Sequence, residues 1–348
     1  MKKYLSLIIV LFSLALNAQD THYSQFFNSP LTLNPALTGL TKGSVRLGAI
    51  YRNQWFSGIN SPSSTSFFNS PYQTPSFFVD APIHLRRDAI GIGGLFLYDR
   101  AGAGSFGTFQ GMISASYIKS MGRRDNHQLS AGIQVGYTQL RLNQNDLKWA
   151  NQYNGANQFD GNTASNVSLQ PNVGYVNFNA GLLYYGKFSE RFSMYLGGAF
   201  YNAATMKYNL EANSTKRNLY YRYNFQAGLD IGFGKFHLLP SGLFMQQAKA
   251  DQLNTALGFG FDFTETTNMT IGLYNRANNI TNKDGQSESI IPYAGFEVNG
   301  FKLAASYDVT LSRRKEVGKG VGALEISLMY IIMPKALNIK KIMYCPRF

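Results

Sequence analysis

The sequence predicts an all-β fold: a transmembrane, antiparallel, up-and-down β-barrel of about 14 strands, with a non-strand segment before it and a basic tail after it. Three observations point there. Several stretches alternate apolar with polar or small residues at a period of two, the spacing that sends successive side chains to opposite faces of a strand. Beyond the first residues, every apolar run is broken by Gly, Asn or charge well before helix-spanning length, so any span must be strands, since only helices and closed barrels satisfy the backbone in lipid. The connections, finally, are mostly long and polar on one side and mostly short on the other. Composition agrees: 15% charged, 14% aromatic and one Cys argue against disorder, a disulfide scaffold or a Cys-based zinc site.

In chain order, Lys2 and Lys3 precede an apolar stretch from Leu5 to Leu16 that ends in Asn17 and Ala18, the layout of a secretory signal. We read residues 1–18 as removed, which lowers the net charge from +13 to +11 and makes nucleic acid an unsuitable partner for an exported chain. Residues 19–43 hold Phe26, Phe27, Leu31, Leu33 and Leu37 with Pro30 and Pro35 and no strand periodicity. Because proline lacks the ladder N–H, this segment is expected to fold against the barrel as a plug or periplasmic collar.

Residues 44–333 form the expected barrel. Leu129, Ala131, Ile133, Val135 and Tyr137 oppose Gln128, Ser130, Gly132, Gln134, Gly136 and Thr138. Tyr221, Tyr223, Phe225, Ala227, Leu229, Ile231 and Phe233 oppose Arg222, Asn224, Gln226, Gly228, Asp230 and Gly232. Leu257, Phe259, Phe261 and Phe263 stand against Gly258, Gly260 and Asp262, and Phe301, Leu303, Ala305, Tyr307 and Val309 against Lys302, Ala304, Ser306, Asp308 and Thr310. A soluble sandwich shares this alternation. Aromatics near strand ends (Tyr51, Tyr98, Tyr117, Tyr137, Tyr184, Tyr330) and the loop asymmetry favour a membrane barrel. Long connections are expected at 56–73, 99–105, 142–171, 205–218, 248–252, 277–287 and 312–319, and short ones around 85–88, 122–126, 187–190, 234–235, 264–267 and 299–300. An even strand count returns both mature termini to the short-turn, periplasmic side. Residues 334–348 carry Lys335, Lys340, Lys341 and Arg347 without an acid and form a basic periplasmic tail.

A barrel of this size falls between ~8 strands, where side chains fill the lumen, and the 16 or more of water-filled porins, so something must occupy or gate the space. Expected inward-facing charges are Arg46, Arg52, Arg222, Asp230, Asp262, Lys302, Asp308 and Glu325, whose mixed signs suggest a salt-bridged interior. Chemistry finds little support. His22, His84, His127 and His237 lack partners at metal-ligand spacing, no H-E-x-x-H or Cys cluster occurs, and the Asp160-Gly161-Asn162 stretch lacks the rest of an EF-hand. Neither catalytic residues, nor a cofactor, nor a metal site is expected.

The stretch QDTHYSQFFNSPLTLNPALTG (Gln19–Gly39), YRNQW (Tyr51–Trp55), LKWANQYNGANQFD (Leu147–Asp160), ASYDVTLS ending at Ser312 and the terminal CPRF together resemble the PorP/SprF family of type IX secretion outer-membrane proteins of Bacteroidota. The resemblance implies a non-enzymatic outer-membrane barrel that assists secretion or cell-surface anchoring of a large partner, adhesin-like and in some members used in gliding, together with other type IX components and outer-membrane lipid. A diffusion channel for small solutes is the competing reading, supported by barrel size. The motif positions of structural or partner-binding interest are Ser24, Gln25, Phe26, Asn34, Pro35, Ala36, Arg52, Gln54, Trp55, Tyr307, Asp308, Cys345, Pro346, Arg347 and Phe348. Asn34 and Pro35 are expected to shape a rigid turn, and Arg52 to tie the N-terminal segment to the wall.

Overall fold

The computed structural model describes residues 20–54, 72–102, 106–122, 125–143, 147–153, 158–165, 169–203, 207–208, 217–281, 286–311 and 322–333. The signal segment 1–18, Trp55 and the tail with Cys345, Pro346, Arg347 and Phe348 lie outside the described residues.

The strands are β1 (Val45–Gln54), β2 (Gln73–His84), β3 (Ala89–Ala101), β4 (Phe106–Met121), β5 (His127–Arg141), β6 (Asn172–Ser189) and β7 (Phe192–Tyr201), then a two-residue ribbon β8 (Lys207–Tyr208) with β9 (Arg217–Asn218). They continue as β10 (Arg222–Phe233), β11 (Phe236–Gln247), β12 (Ala250–Asp262), β13 (Thr267–Asn278), β14 (Gln286–Val298), β15 (Phe301–Thr310) and β16 (Gly322–Ile332). All but β8 and β9 form one closed antiparallel barrel of 14 strands in sequence order, sealed by β1 on β16 from Val45↔Ile332 to Gln54↔Ala323. Closure removes the free sheet edge that a membrane would leave unpaired.

The alternation read from the sequence is the alternation of the wall. On β10, Tyr223 and Phe225 face outward, while Arg222, Asn224 and Gln226 are buried inside. On β15, Leu303, Tyr307 and Val309 are exposed outward, and Ser306 and Asp308 are buried. Tight turns use the backbone they need: Asn299 and Gly300 both have positive φ, at 50° and 84°, which suits the right-handed twist of a two-residue hairpin. One expected long connection is in fact tight: only Ala248 and Lys249 separate β11 from β12, with Ala248 at φ 54°. The polar residues read as a loop there, Asp251 and Gln252, are buried members of β12. A polar run signals a loop only where it meets water; here Gln252 shares the inward face of Asn254, and the Asp251 carboxylate on the opposite face accepts from Ile280 and Thr281 of the β13–β14 connection.

Residues 20–41 lie inside the cylinder. A 3-10 turn at Phe26–Asn28, a single helical turn at Pro30–Leu33 and a second 3-10 turn at Pro35–Leu37 follow one another, each proline at the first or second helical position, where its missing N–H costs nothing. Their apolar side chains Phe26, Phe27, Leu33, Ala36, Leu37 and Leu40 pack with Leu183, Tyr195, Leu243 and Met245 of the wall into one buried cluster. The even strand count does bring Val45 and Ile332 to the same, short-turn rim. The segment before β1, however, crosses the lumen. Asp20 sits at the opposite, long-loop rim, where its N–H donates to Gln247 Oε1 (2.7 Å) and its carboxylate accepts from Gln247 Nε2 and Asn202 Nδ2 (3.0 Å each), with Arg222 Nη1 at 3.4 Å. The expectation that the even count sets both ends of the mature chain on the short-turn side therefore fails for the amino end, because strand parity governs only the strands.

Candidate functional site

The functional candidate is the contact between this lumenal segment and the wall, and it begins with side chains on neighbouring strands. Arg52 and Glu325 are direct cross-strand partners on β1 and β16, and Ser306 pairs with Glu325 in turn, with Asp308 two residues further along the same face of β15. Arg276 joins from β13. Arg52 bridges both carboxylates, its Nη2 lying 3.0 Å from Asp308 Oδ2 and its Nη1 bonding Glu325, while Arg276 also bonds Asp308. Two cations and two anions thus neutralise one another where each is at least 94% buried in its side chain. Isolated burial of any one would cost several kcal/mol, so neutrality is a condition of the arrangement.

The lumenal segment completes this network. The backbone N–H groups of Ser24 and Gln25 each donate to one oxygen of Glu325, at 2.8 Å. The Ser24 hydroxyl donates to Asp308 (2.8 Å to Oδ1) and accepts from Arg52 and Arg276 at 2.8 Å each, which fills its one donor and two acceptor positions. Gln25 Nε2 donates to Ser306 Oγ and to the Glu325 carbonyl, both at 3.0 Å, and Gln25 Oε1 accepts from Asn28 and Ser327. Phe26 sits beside it, its ring 3.8 Å from that of Phe27.

A second anchor holds the other end of the segment. Arg46 and Asp80 are cross-strand partners joined by a bidentate pair (Nε–Oδ1 2.9 Å, Nη2–Oδ2 2.7 Å). Arg46 also donates to the carbonyls of Leu37 (3.0 Å) and Leu40 (3.3 Å), and Asp80 accepts the N–H of Gly39 at 2.6 Å.

Between the anchors, Asn34 and Pro35 press on the wall. Asn34 Oδ1 accepts the N–H of Ala36 (2.9 Å), capping the 3-10 turn, while its Nδ2 donates to the carbonyls of Leu182 and Gly198 at 3.1 and 3.2 Å. The Ala36 carbonyl accepts from Ser130 Oγ at 2.6 Å. The approach is close enough to require glycine: a Cβ at Gly181 would stand 2.0 Å from Asn34 Oδ1, and one at Gly132 would stand 2.3 Å from the Pro35 carbonyl oxygen. We expect Gly181→Ala to displace this turn and destabilise the barrel by about 1–3 kcal/mol, the usual penalty of overpacking. Gly242→Ala, whose Cβ would meet nothing closer than 3.7 Å, should change stability little. Denaturant unfolding in detergent checks both, and equal effects would remove the claimed fit.

Of the motif residues named from the sequence, Ser24, Gln25, Arg52 and Asp308 converge on one network, and Asn34, Pro35 and Ala36 on the wall contact. Gln54 ends β1 half-buried at the long-loop rim, its N–H on the Tyr72 carbonyl. Tyr307 points outward, 37% exposed, on the face opposite its neighbour Asp308. Asp230 and Asp262 are not in the buried network; they flank His237 near the short-turn rim. Asp80 and Arg276 are absent from the sequence-based set although both carry the anchors. Their strand parity shows it: Phe77 and Val79 frame Asp80, and Ile271 and Leu273 precede Arg276, as outward-facing residues frame an inward one.

Within the long 142–171 connection, Ala150–Gln152 forms a 3-10 turn, and the Asp160 carboxyl is held below its usual range by the Thr163 hydroxyl and the Asn162 N–H. On the short-turn rim, hydrogen bonds from Tyr117 and Lys119 hold the partly buried Asp88 carboxyl at about 2.

Cavities left between segment and wall are small. One lined by Asp20, Leu31, Gln134, Asn177 and Arg222 has a volume of about 20 Å³, and one lined by Phe27, Tyr195, Leu239 and Tyr274 is also about 20 Å³. Each has room for about one water. A broad concavity of about 1110 Å³ lies instead on the outside of the wall, where Ala115, Ala131, Ala180 and Gly198 sit among Ile133, Leu182 and Phe225.

Two solved structures share the fold. The CymD monoaromatic hydrocarbon channel is 12% identical, with 88% of this chain and 93% of that one covered at a TM-score of 0.50. The Ralstonia pickettii toluene transporter TbuX is 10% identical, with 91% and 97% covered at a TM-score of 0.51. At such identities the likeness is one of architecture, that of an outer-membrane barrel. A search of the curated proteins gives no match. Residues 15–330 match the family described as type IX secretion system membrane protein PorP/SprF, and the chain, a 14-strand membrane barrel with a filled lumen, belongs to that family.

Proposed function

We propose that this protein is a non-enzymatic outer-membrane barrel that assists the export or surface anchoring of one large, adhesin-like protein through the type IX machinery. The observation that carries this reading is the filled lumen: residues 20–41 are bonded to strands around the whole circumference, and the gaps beside them hold about one water each. A diffusion channel needs a continuous path, and a segment stitched by buried ion pairs opposes one. Family membership supplies the secretion context. The apolar outward face meets lipid, the short-turn rim faces the periplasm and the long loops face outward, in the common arrangement of such barrels. In that orientation Asp20 stands at the outer mouth.

The test is genetic and biochemical. Deleting the gene should remove one very large protein from the cell surface while leaving general solute uptake unchanged, measured by surface proteolysis with mass spectrometry and by uptake of small probes. Intact surface display together with a defect in small-solute uptake would overturn the assignment in favour of the channel.

A further inference from the structure

The short-turn rim is divided by charge. Along β2 to β7 its described turns and strand ends carry Arg86, Arg87, Lys119, Lys187 and Arg191 against Asp88, Asp125 and Glu190. Along β10 to β15 they carry Asp230, Asp262, Glu265 and Glu297 against Lys235 and Lys302. Among the described residues, and with Lys42 at the entry to β1 set aside, the first half is cationic and the second anionic.

The anionic half is built around a histidine. His237 Nδ1 is 2.6 Å from Asp230 Oδ1, and its Nε2 is 3.3 Å from Asp262 Oδ2, the three side chains being 15–26% exposed. Glu265 stands exposed at the tip of the adjoining β12–β13 turn, and Glu297 faces Lys302 across β14 and β15. Strand β16 borders this half through β15: Ile331 N donates to the Gly300 carbonyl (2.8 Å), and Asn299 N donates to the Thr266 carbonyl (2.9 Å), which links the exit strand to the turn holding Glu265.

Beyond Met333 the sequence continues through 334–348 with Lys335, Lys340, Lys341 and Arg347 and no acidic side chain. Fully extended, that length spans ~50 Å, enough to reach either half of the rim, so reach does not choose between them. Charge does. We propose that the tail 334–348 docks on the anionic half of this rim, its cations against Glu265, Asp262 and Asp230. The tail then acts as an intramolecular competitor for any cationic segment of a partner that approaches the same turns.

Cys345 is the single cysteine of the chain and lies in the tail, which makes the docking measurable. Thr266→Cys and Leu85→Cys each place one thiol in an exposed turn, in the anionic and cationic halves respectively. Leu85 follows β2, two strands from β16, whereas Thr266 precedes β13, three strands away, so mere proximity would favour Leu85. The two full-length proteins, folded in detergent, are treated with a bismaleimide, and the cross-linked peptides are quantified by mass spectrometry. We expect the 345–266 product to exceed the 345–85 product about fivefold at low salt, the worth of roughly one exposed ion pair. The ratio should fall toward one at 1 M NaCl, where the screening length is ~3 Å. Replacing Lys335, Lys340 and Lys341 by Gln should remove the preference at low salt. Equal yields, an excess at position 85, or a preference indifferent to salt and to the Gln replacements would overturn the proposal.

Discussion

Replacing Arg52 by Ala will destabilise the folded barrel by about 3–5 kcal/mol, the range seen when one partner of a buried ion pair is removed and the other is left uncompensated. Arg52 is the group that touches both Asp308 and Glu325, and it also donates to the Ser24 hydroxyl. Without it, two carboxylates remain with Arg276, whose side-chain bonds among the described residues go to Asp308 and Ser24. Glu325, at 0% exposure, is then a buried anion whose remaining partners are the N–H groups of Ser24 and Gln25. Denaturant unfolding in micelles measures the loss. The double variant Arg52→Met with Glu325→Gln should recover a large part of it, because removing both charges removes the desolvation problem. A single variant within about 1 kcal/mol of the parent would show that the network is not holding the segment, since a solvent-exposed pair contributes no more than that.

Removing residues 20–41 while keeping the strands should convert a silent barrel into a conducting one. A closed cylinder of 14 strands is wider than the ~8-strand barrels whose own side chains fill the interior, and here the inward faces bear short polar residues such as Ser114, Ser116, Ser130, Asn177 and Ser327. The four serines bond the segment while Asn177 bonds Thr138 of the wall, so loss of the segment leaves a water-filled bore. In planar bilayers the parent protein should give no resolved current steps, and the deletion variant should give discrete ones that persist for as long as the protein remains folded by heat-modifiable mobility. Steady conduction by the parent would mean that the lumen is open to ions in spite of the segment, and would restore the channel reading.

Period-two alternation, the scarcity of helix-length apolar runs and the long–short rhythm of connections suffice to read the barrel and its 14 strands from the chain, because each is a local consequence of wall geometry: a side chain faces out or in according to its parity. The interior charges are legible for the same reason. Arg46, Arg52, Asp308 and Glu325 interrupt the inward face of strands whose other face is apolar. The strand positions of Asp251 and Gln252 are not legible, since a polar stretch beside a tight turn looks the same whether it meets bulk water or, as here, a neighbouring connection on one face and the polar interior on the other.

What the amino-acid sequence determines alone, then, is the wall, its faces, and the presence of a proline-bearing segment that cannot join the ladder. Only the tertiary structure decides that this segment crosses from the Arg46–Asp80 anchor to Asp20 at the far rim, that Ser24 meets Asp308 from 284 positions away, and that Asn34 rests where Gly132 and Gly181 leave room. Those contacts join residues with no shared period and no neighbouring position. They exist because closing the cylinder brings its inward side chains around one axis, and the chain that lies along that axis is selected by fit and charge neutrality across strands distant in sequence.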